Sequence, residues 1–366
     1  MRYSIFGPPR VEPQSESAYS LRKMNLGFWG KLKKPVFVLA PMADVTDFAF
    51  REMFAKYGAP DVFFTEFVSA DGLCSEKGRP KLLIDLKFSR KQKPVVAQIF
   101  TSRPENAKRV AELCAELGFD GIDINMGCPD KKVEGQGAGA VLIKEPKLAQ
   151  KVLRAAQEGA GKVPVSVKTR LGYAKDELET WLPYIFECEP AAITIHARTR
   201  KEMSKVPARW ERVADAVRMR DKYFLKEGGP LIIGNGDIQT LEDARKKTKE
   251  SGADGAMVGR GAFGNPWFFA DILRHRESGG GKNIEHPAMA GYVPSLQERL
   301  RVMAEHAALF EKTFKGQKGF NVMKKHFKAY VSGFKGASAL RAKLMETNSA
   351  EEVTRIVQNF KGSPTS

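Results

Sequence analysis

The sequence predicts an α/β protein: a (β/α)8 TIM barrel of eight parallel strands, followed by a small C-terminal all-α helical domain. Three observations carry this. Eight short apolar runs recur between Pro35 and Trp267, separated by helix-like segments. The first run leads into Pro41-Met42-Ala43-Asp44, not the Gly-x-Gly-x-x-Gly turn that a doubly wound sheet places there. After Trp267 the alternation ends and only helical patterns remain.

Residues 1–34, with Pro8, Pro9 and Pro13, read as an N-terminal arm. Their polar start, with Glu12 and Glu16, fits neither a secretory signal nor a clean transit peptide. The barrel spans 35–277. Its strands are predicted at 36–40, 62–67, 95–100, 121–125, 165–169, 192–196, 231–235 and 255–259. Helices are expected between them, most plainly at 48–57, 105–117, 147–156 and 241–250. Residues 278–294, opening on Ser278-Gly279-Gly280-Gly281, read as a linker. The helical domain covers 295–366, with helices at 295–315, 319–332, 337–346 and 349–360. Ser295 with Glu298, and Ser349 with Glu352, have the spacing of capping boxes.

A chain of 366 residues accommodates one large and one small domain. Lys plus Arg is 60 against 43 Asp plus Glu, a net charge of +17 that suits a polyanionic partner. No apolar run approaches the roughly 20 residues of a transmembrane helix, so no membrane span is expected. Cys74, Cys114, Cys128 and Cys188 include no C-x-x-C pair, which leaves zinc and iron–sulfur sites unsupported, so no metal is expected. Few scattered cysteines suit a reducing, cytoplasmic location. Cys114 and Cys188 sit in helix-like apolar runs and are expected in the core; Cys74 is expected in a loop, with no role.

A barrel of this kind gathers its chemistry where the strands end. The residues at those ends are Met42, Glu66, Gln98, Asn125 with Cys128, Lys168, His196, Asn235 and Arg260, and seven of these eight positions offer a polar or ionisable group. The fourth strand is the most informative. Ile122, Ile124 and Met126 alternate with Asp123 and Asn125, the period of a half-buried strand. The strand ends in Gly127-Cys128-Pro129. Pro129 forces a turn, and Gly127 permits close approach. A buried structural Cys needs neither neighbour, so Cys128 is expected to meet a ligand.

After the seventh and eighth strands come Gly234-Asn235-Gly236-Asp237 and Gly259-Arg260-Gly261, the common place for phosphate in such barrels. Lys168 inside the barrel mouth calls for an anion or an electron-rich ring; pairing with Glu66 is the alternative. His196 reads as a ligand donor or as a satisfied core residue. Residues 312–343 contain nine basic residues and no Asp or Glu, which favours a nucleic-acid backbone. Phe314, Phe320, Phe327, Tyr330 and Phe334 are interleaved with them and expected mostly in the bundle core.

Residues 125–142, N-M-G-C-P-D-K-K-V-x-x-x-G-A-G-A-V-L, resemble the tRNA-dihydrouridine synthases. So do A-P-M-A-D-V-T-D-F-A-F-R (40–51), V-K-T-R-L-G (167–172), H-A-R-T-R (196–200), N-G-D-I (235–238) and V-G-R-G-A-F-G-N-P-W (258–267). The stretch 323–341 also resembles the family's tRNA-binding helices, and the likeness covers roughly residues 35–345. The resemblance implies reduction of uridine in tRNA to 5,6-dihydrouridine, with NADPH or NADH as reductant and Cys128 as proton donor to C5. It implies FMN held by Pro41, Met42, Ala43, Gln98, Lys168, His196, Asn235, Gly236, Asp237, Gly259 and Arg260. Asn125 and Arg198 are candidates for the uracil edge, and Lys324, Lys325, Lys328 and Arg341 for the tRNA. A monomer is expected. Two features depart from the family: Ala197 replaces a common Gly, and 201–210, KEMSKVPARW, keeps only Trp210 of the usual Y-x-G-x-A-x-W. The alternative is a small-molecule flavin oxidoreductase, dihydroorotate dehydrogenase-like or enoate reductase-like, which has no need for the cationic tail.

Overall fold

The computed structural model describes residues 24–225, 228–272 and 292–360. Eight parallel strands are present: β1 (Val36–Leu39), β2 (Phe63–Ser69), β3 (Val95–Phe100), β4 (Gly121–Met126), β5 (Val165–Arg170), β6 (Ala192–His196), β7 (Leu231–Asn235) and β8 (Gly255–Val258). They hydrogen-bond in the order β1-β8-β7-β6-β5-β4-β3-β2, and a parallel bridge from Val38 to Val62 closes the ring. The expected (β/α)8 barrel is therefore the fold.

Nearly every strand residue is buried, because helices cover the outside and side chains fill the inside. β4 corrects one detail. Its Ile122, Ile124 and Met126 face the helix layer, in one core cluster with Val110 and Val152. Asp123 and Asn125 do not face solvent; they point into the barrel, at 0% and 5% exposure.

Outside the barrel lie α1 (Phe48–Tyr57), α2 (Ala70–Cys74), α3 (Arg79–Leu82), α4 (Pro104–Glu116), α5 (Lys131–Glu134), α6 (Pro146–Ala160), α7 (Leu178–Phe186), α8 (Trp210–Tyr223) and α9 (Leu241–Ser251). Asp47 caps α1, its Oδ1 accepting from the Phe50 N–H at 2.9 Å. Proline at the first helical turn opens α4 and α6. Cys114 is buried in α4, and Cys188 is buried just past α7. Cys74 is not in a loop; it ends α2, which Ser69 caps.

The arm residues 24–34 run beneath the amino end of the barrel. Trp29, 1% exposed, packs with Val36, Val38, Phe64 and Met257 and plugs that end. Residues 1–23, and 278–291 of the expected linker, lie outside the described residues.

Among the described residues beyond 292 there are four helices: α10 (Leu296–Phe314), α11 (Met323–Tyr330), α12 (Ala337–Met345) and α13 (Ala350–Gln358). Ser295 and Ser349 cap α10 and α13, accepting from the N–H groups of Glu298 and Glu352. These helices share one hydrophobic cluster with Ala49, Met53 and Tyr57 of α1 and with Trp267 and Ala270. At Gly264, φ is +77°, and a Cβ would lie 2.6 Å from the Ala329 carbonyl carbon. The bundle thus packs directly on the loop after β8.

Candidate active site

Cys128 follows β4 and is partly exposed. Three residues fix its backbone through four hydrogen bonds. The Asn125 Oδ1 accepts from the N–H groups of Gly127, at 3.1 Å, and Cys128, at 2.9 Å. The Cys128 carbonyl accepts from Ala140 N–H at 3.0 Å. Arg170 Nε donates to the Gly127 carbonyl at 2.7 Å. Gly127 lets β5 come close, since a Cβ there would stand 3.2 Å from the Thr169 carbonyl carbon. Burial pushes the Cys128 thiol up, while Lys168 and Arg170 pull it back. The group is a thiol at neutral pH.

Next to this loop, a cavity of about 190 Å³ opens at the carboxyl ends of the strands. It is lined by nine of the eleven residues expected to hold a cofactor: Pro41, Met42, Lys168, His196, Asn235, Gly236, Asp237, Gly259 and Arg260. The other two lie elsewhere. Ala43 is exposed, outside the lining. Gln98 is 0% exposed, with its amide bonded to Asp123 and Asn125.

Burial pushes the Lys168 ammonium down to about 8, with Arg170 adding repulsion and Asp123 opposing both. Its alternative partner is engaged otherwise: Glu66 takes Lys318 Nζ at 2.7 Å and the Asp44 N–H at 2.5 Å. Lys168 is therefore the cation of the cavity wall and not half of a Glu66 pair.

His196 lies against Arg198, with Nη1 and Nε2 at 3.2 Å. A guanidinium only donates, so Nε2 must accept, and Nδ1 carries the proton of a neutral ring. Burial and the charges of Arg170, Lys168, Arg198 and Arg260 hold its pKa well below 6.5, in agreement.

Arg198 is 2% exposed. Its Nη2 bonds Asp237 Oδ2 at 2.5 Å and its Nε donates to the Val206 carbonyl at 2.6 Å. The structure thus buries Arg198 behind His196 and Asp237 of the cavity lining and commits its guanidinium there. Asn125 is committed in the same sense, bound to Gln98 and to the Cys128 loop. Arg260 is 67% exposed and free to meet an anion, apart from a long contact of 3.4 Å to Asp237.

The basic tail divides in two. Lys318, 15% exposed, sits between Glu66 and Asp85, with Nζ 2.7 and 2.6 Å from their carboxylates. Lys325 approaches Asp44 at 3.6 Å, and Arg341 donates to the Val331 carbonyl at 2.8 Å. The other six, Lys312, Lys315, Lys324, Lys328, Lys335 and Lys343, form no ion pair among the described residues. Five of these are exposed and Lys324 is partly so. Phe314, Phe327 and Tyr330 are core, while Phe320 and Phe334 are partly buried. Lys325 on α11 brings this cationic face to the β1–α1 loop, whose Pro41 and Met42 line the cavity.

Four residues escaped the sequence reading. Arg170 clamps the Cys128 loop to the loop after β6, donating also to the Thr199 carbonyl at 3.1 Å. Its place two residues after Lys168, on the same face of β5, was the available signal. Glu134 and Arg200 form a bidentate pair between those same loops; nothing local announces it. Asp123 shares a strand face with Asn125. Among the described residues no group of three or more His, Cys, Asp or Glu is arranged to hold a metal ion, and no helix is long and apolar enough to cross a membrane.

A closed parallel barrel with a cation-lined cavity and a positioned thiol at its carboxyl end defines a (β/α)8-barrel enzyme. The dihydrouridine synthase family model matches residues 38–363, and the chain belongs to that family. It is 39% identical over 340 residues to the probable tRNA-dihydrouridine synthase 2 of Bacillus subtilis (strain 168), covering 92% of this chain and 98% of that protein. It is 38% identical over 340 residues to the probable tRNA-dihydrouridine synthase of Staphylococcus aureus (strain COL), covering 92% and 97%. Among solved structures, morphinone reductase in complex with tetrahydroNAD aligns at 13% identity and a TM-score of 0.46, over 71% of this chain and 91% of that one.

Proposed function

We propose that this protein reduces uridine in tRNA to 5,6-dihydrouridine, using FMN held in the cavity, NADPH as reductant and Cys128 as the acid. The observation that carries the reading is a protonated thiol, fixed by Asn125, beside a cavity walled by Lys168, His196 and Arg260.

The lining fits a flavin mononucleotide. Lys168 suits a ring edge that gains negative charge on reduction. Arg260 and the backbone around Gly236 and Gly259 suit a phosphate. Gly236 has φ +128°, and a Cβ there would lie 2.7 Å from that of Ala208, so the narrow turn excludes larger residues. A reduced flavin, when bound, supplies the hydride that adds to uracil C6. Cys128 gives its Sγ proton to C5 and is left as a thiolate. Lys168 and Arg170 favour that thiolate, which lowers the cost of the transfer. The target base must leave its stack to reach the site. The unpaired cations of α10 to α12 would hold the surrounding phosphates.

The test uses tRNA from a strain lacking the modification, NADPH and the purified protein, with dihydrouridine read by mass spectrometry. Dihydrouridine is expected with the native protein, and a fall of about a hundredfold or more with Cys128→Ala. Full activity of that variant sinks the acid role. A protein that neither carries nor binds flavin sinks the whole reading, and turnover of an activated alkene but not tRNA replaces the substrate.

A further inference from the structure

A buried hydrogen-bond relay runs under the site. Ser166 Oγ donates to Asp123 Oδ1 at 2.7 Å, and Gln98 Nε2 donates to Asp123 Oδ2 at 2.7 Å. Gln98 Oε1 in turn accepts from Asn125 Nδ2 at 2.9 Å. Asn125 Oδ1 ends the chain on the N–H groups of Gly127 and Cys128. Strand register creates it: Gln98 stands opposite Asp123, and Asp123 opposite Ser166. Asp123 and Gln98 are both 0% exposed, so no solvent competes.

The relay has a fixed direction. The two backbone N–H groups need an acceptor, so Asn125 must turn its oxygen to them and its amine to Gln98. Gln98 must then turn its oxygen to Asn125 and its amine downward. Only an acceptor at position 123 completes this order. An apolar residue there frees the Gln98 amide to rotate, and Asn125 loses the partner that holds it against the Cys128 loop.

We propose that Asp123 is a positioning residue: through Gln98 and Asn125 it sets the orientation of the Cys128 thiol. It touches neither the cavity nor Cys128 itself. The proposal deepens the reading of Cys128 as the acid and rests on it, but its test does not require turnover.

The readout is the rate of Cys128 alkylation by iodoacetamide as a function of pH, in a Cys74→Ser background, because Cys74 is the other partly exposed thiol. Asp123→Ala and Gln98→Leu both cut the relay. Each should loosen the Cys128 loop, move the profile toward lower pH and raise the rate at neutral pH about threefold or more, since burial is what suppresses the thiolate. Asp123→Asn supplies an acceptor to Gln98 without the charge and should restore the native profile. A native profile in both relay-cutting variants overturns the proposal. So does an Asp123→Asn protein as altered as Asp123→Ala, since the acceptor would then not be what matters. If Asp123→Ala fails to fold, Asp123→Leu, an apolar residue closer in bulk, takes its place beside Gln98→Leu. A proton-donor role lost by Cys128 would show instead as unchanged dihydrouridine formation by Cys128→Ala.

Discussion

Lowering the pH should destabilise this protein through two imidazoles far from the cavity. His306 of α10 and His326 of α11 are both 0% exposed, their ring centroids 4.7 Å apart. Phe50 of α1 and Phe263 from the loop after β8 pack against His326, and Tyr330 lies beside His306. No ring nitrogen of either histidine has a hydrogen-bond partner among the described residues, and both His306 and Lys325 disfavour a proton on His326. Burial holds His306 down at about 3, against 6.5 in an exposed chain. The folded pKa is depressed, so the stability is fully present above pH 6.5 and is lost as pH falls toward 3. Each pH unit in that window costs about 1.4 kcal/mol per imidazole, so His306 alone removes about 2 kcal/mol by pH 5. His326 acts with the same sign. Against a typical stability of about 5–15 kcal/mol this is a large fraction.

Three carboxyls oppose it. Burial raises Asp47 to about 7, Asp123 to about 6 and Glu66 above its ordinary range, and a raised carboxyl stabilises the fold as pH falls. The histidine contribution therefore has to be isolated by difference. Urea unfolding followed by circular dichroism at pH 7, 6 and 5 should be compared for the native protein and His306→Leu, a residue of similar bulk without a titrating ring. The stability difference should shift by about 2 kcal/mol in favour of the variant between pH 7 and pH 5. A difference that stays constant across that range would refute the reasoning, because it would mean that the ring is hydrated or partnered.

Three further outcomes follow from particular contacts. Lys168→Met should weaken flavin binding, measured by quenching of flavin fluorescence, by about tenfold or more through loss of the lysine cation that lines the cavity; unchanged affinity would remove Lys168 from the site. Lys318→Met should lower unfolding stability by about 3 kcal/mol in urea, because it strips the buried Glu66 and the half-buried Asp85 of their shared ion-pair partner. Lys324→Ala with Lys328→Ala should weaken tRNA binding and reduce the slope of log affinity against log salt by about 2, one per lost phosphate contact; an unaltered slope would move the interface elsewhere.

Much of the architecture was legible because the signals are local. Alternation and apolar runs located the eight strands, with ends displaced by no more than two residues. Ser295 and Ser349 marked two helix starts through their own capping geometry. Gly127 and Pro129 singled out Cys128 because each constrains its immediate neighbour. α7 was legible only as the helix-like run that ends at Cys188, its start unmarked and Pro183 lying inside it. The polar face of β4 was read as exposed because alternation shows that two faces differ, not which of them meets water. The one-sided charge of 312–343 was read as a surface, yet Lys318 turns inward, since its carboxylate partners lie more than two hundred residues earlier.

The chain alone thus determines a barrel with polar strand ends, a thiol held at one of them and a cationic helical tail, because these depend on residue order within a few positions. Tertiary structure decides which of those groups remain available. It commits Arg198 to Asp237, Gln98 and Asn125 to a relay anchored on Asp123, and Lys318 to a buried pair, while leaving Lys168 and Arg260 facing the cavity. The reason is strand register and barrel closure: they bring together side chains tens to hundreds of positions apart, and no local period encodes that pairing.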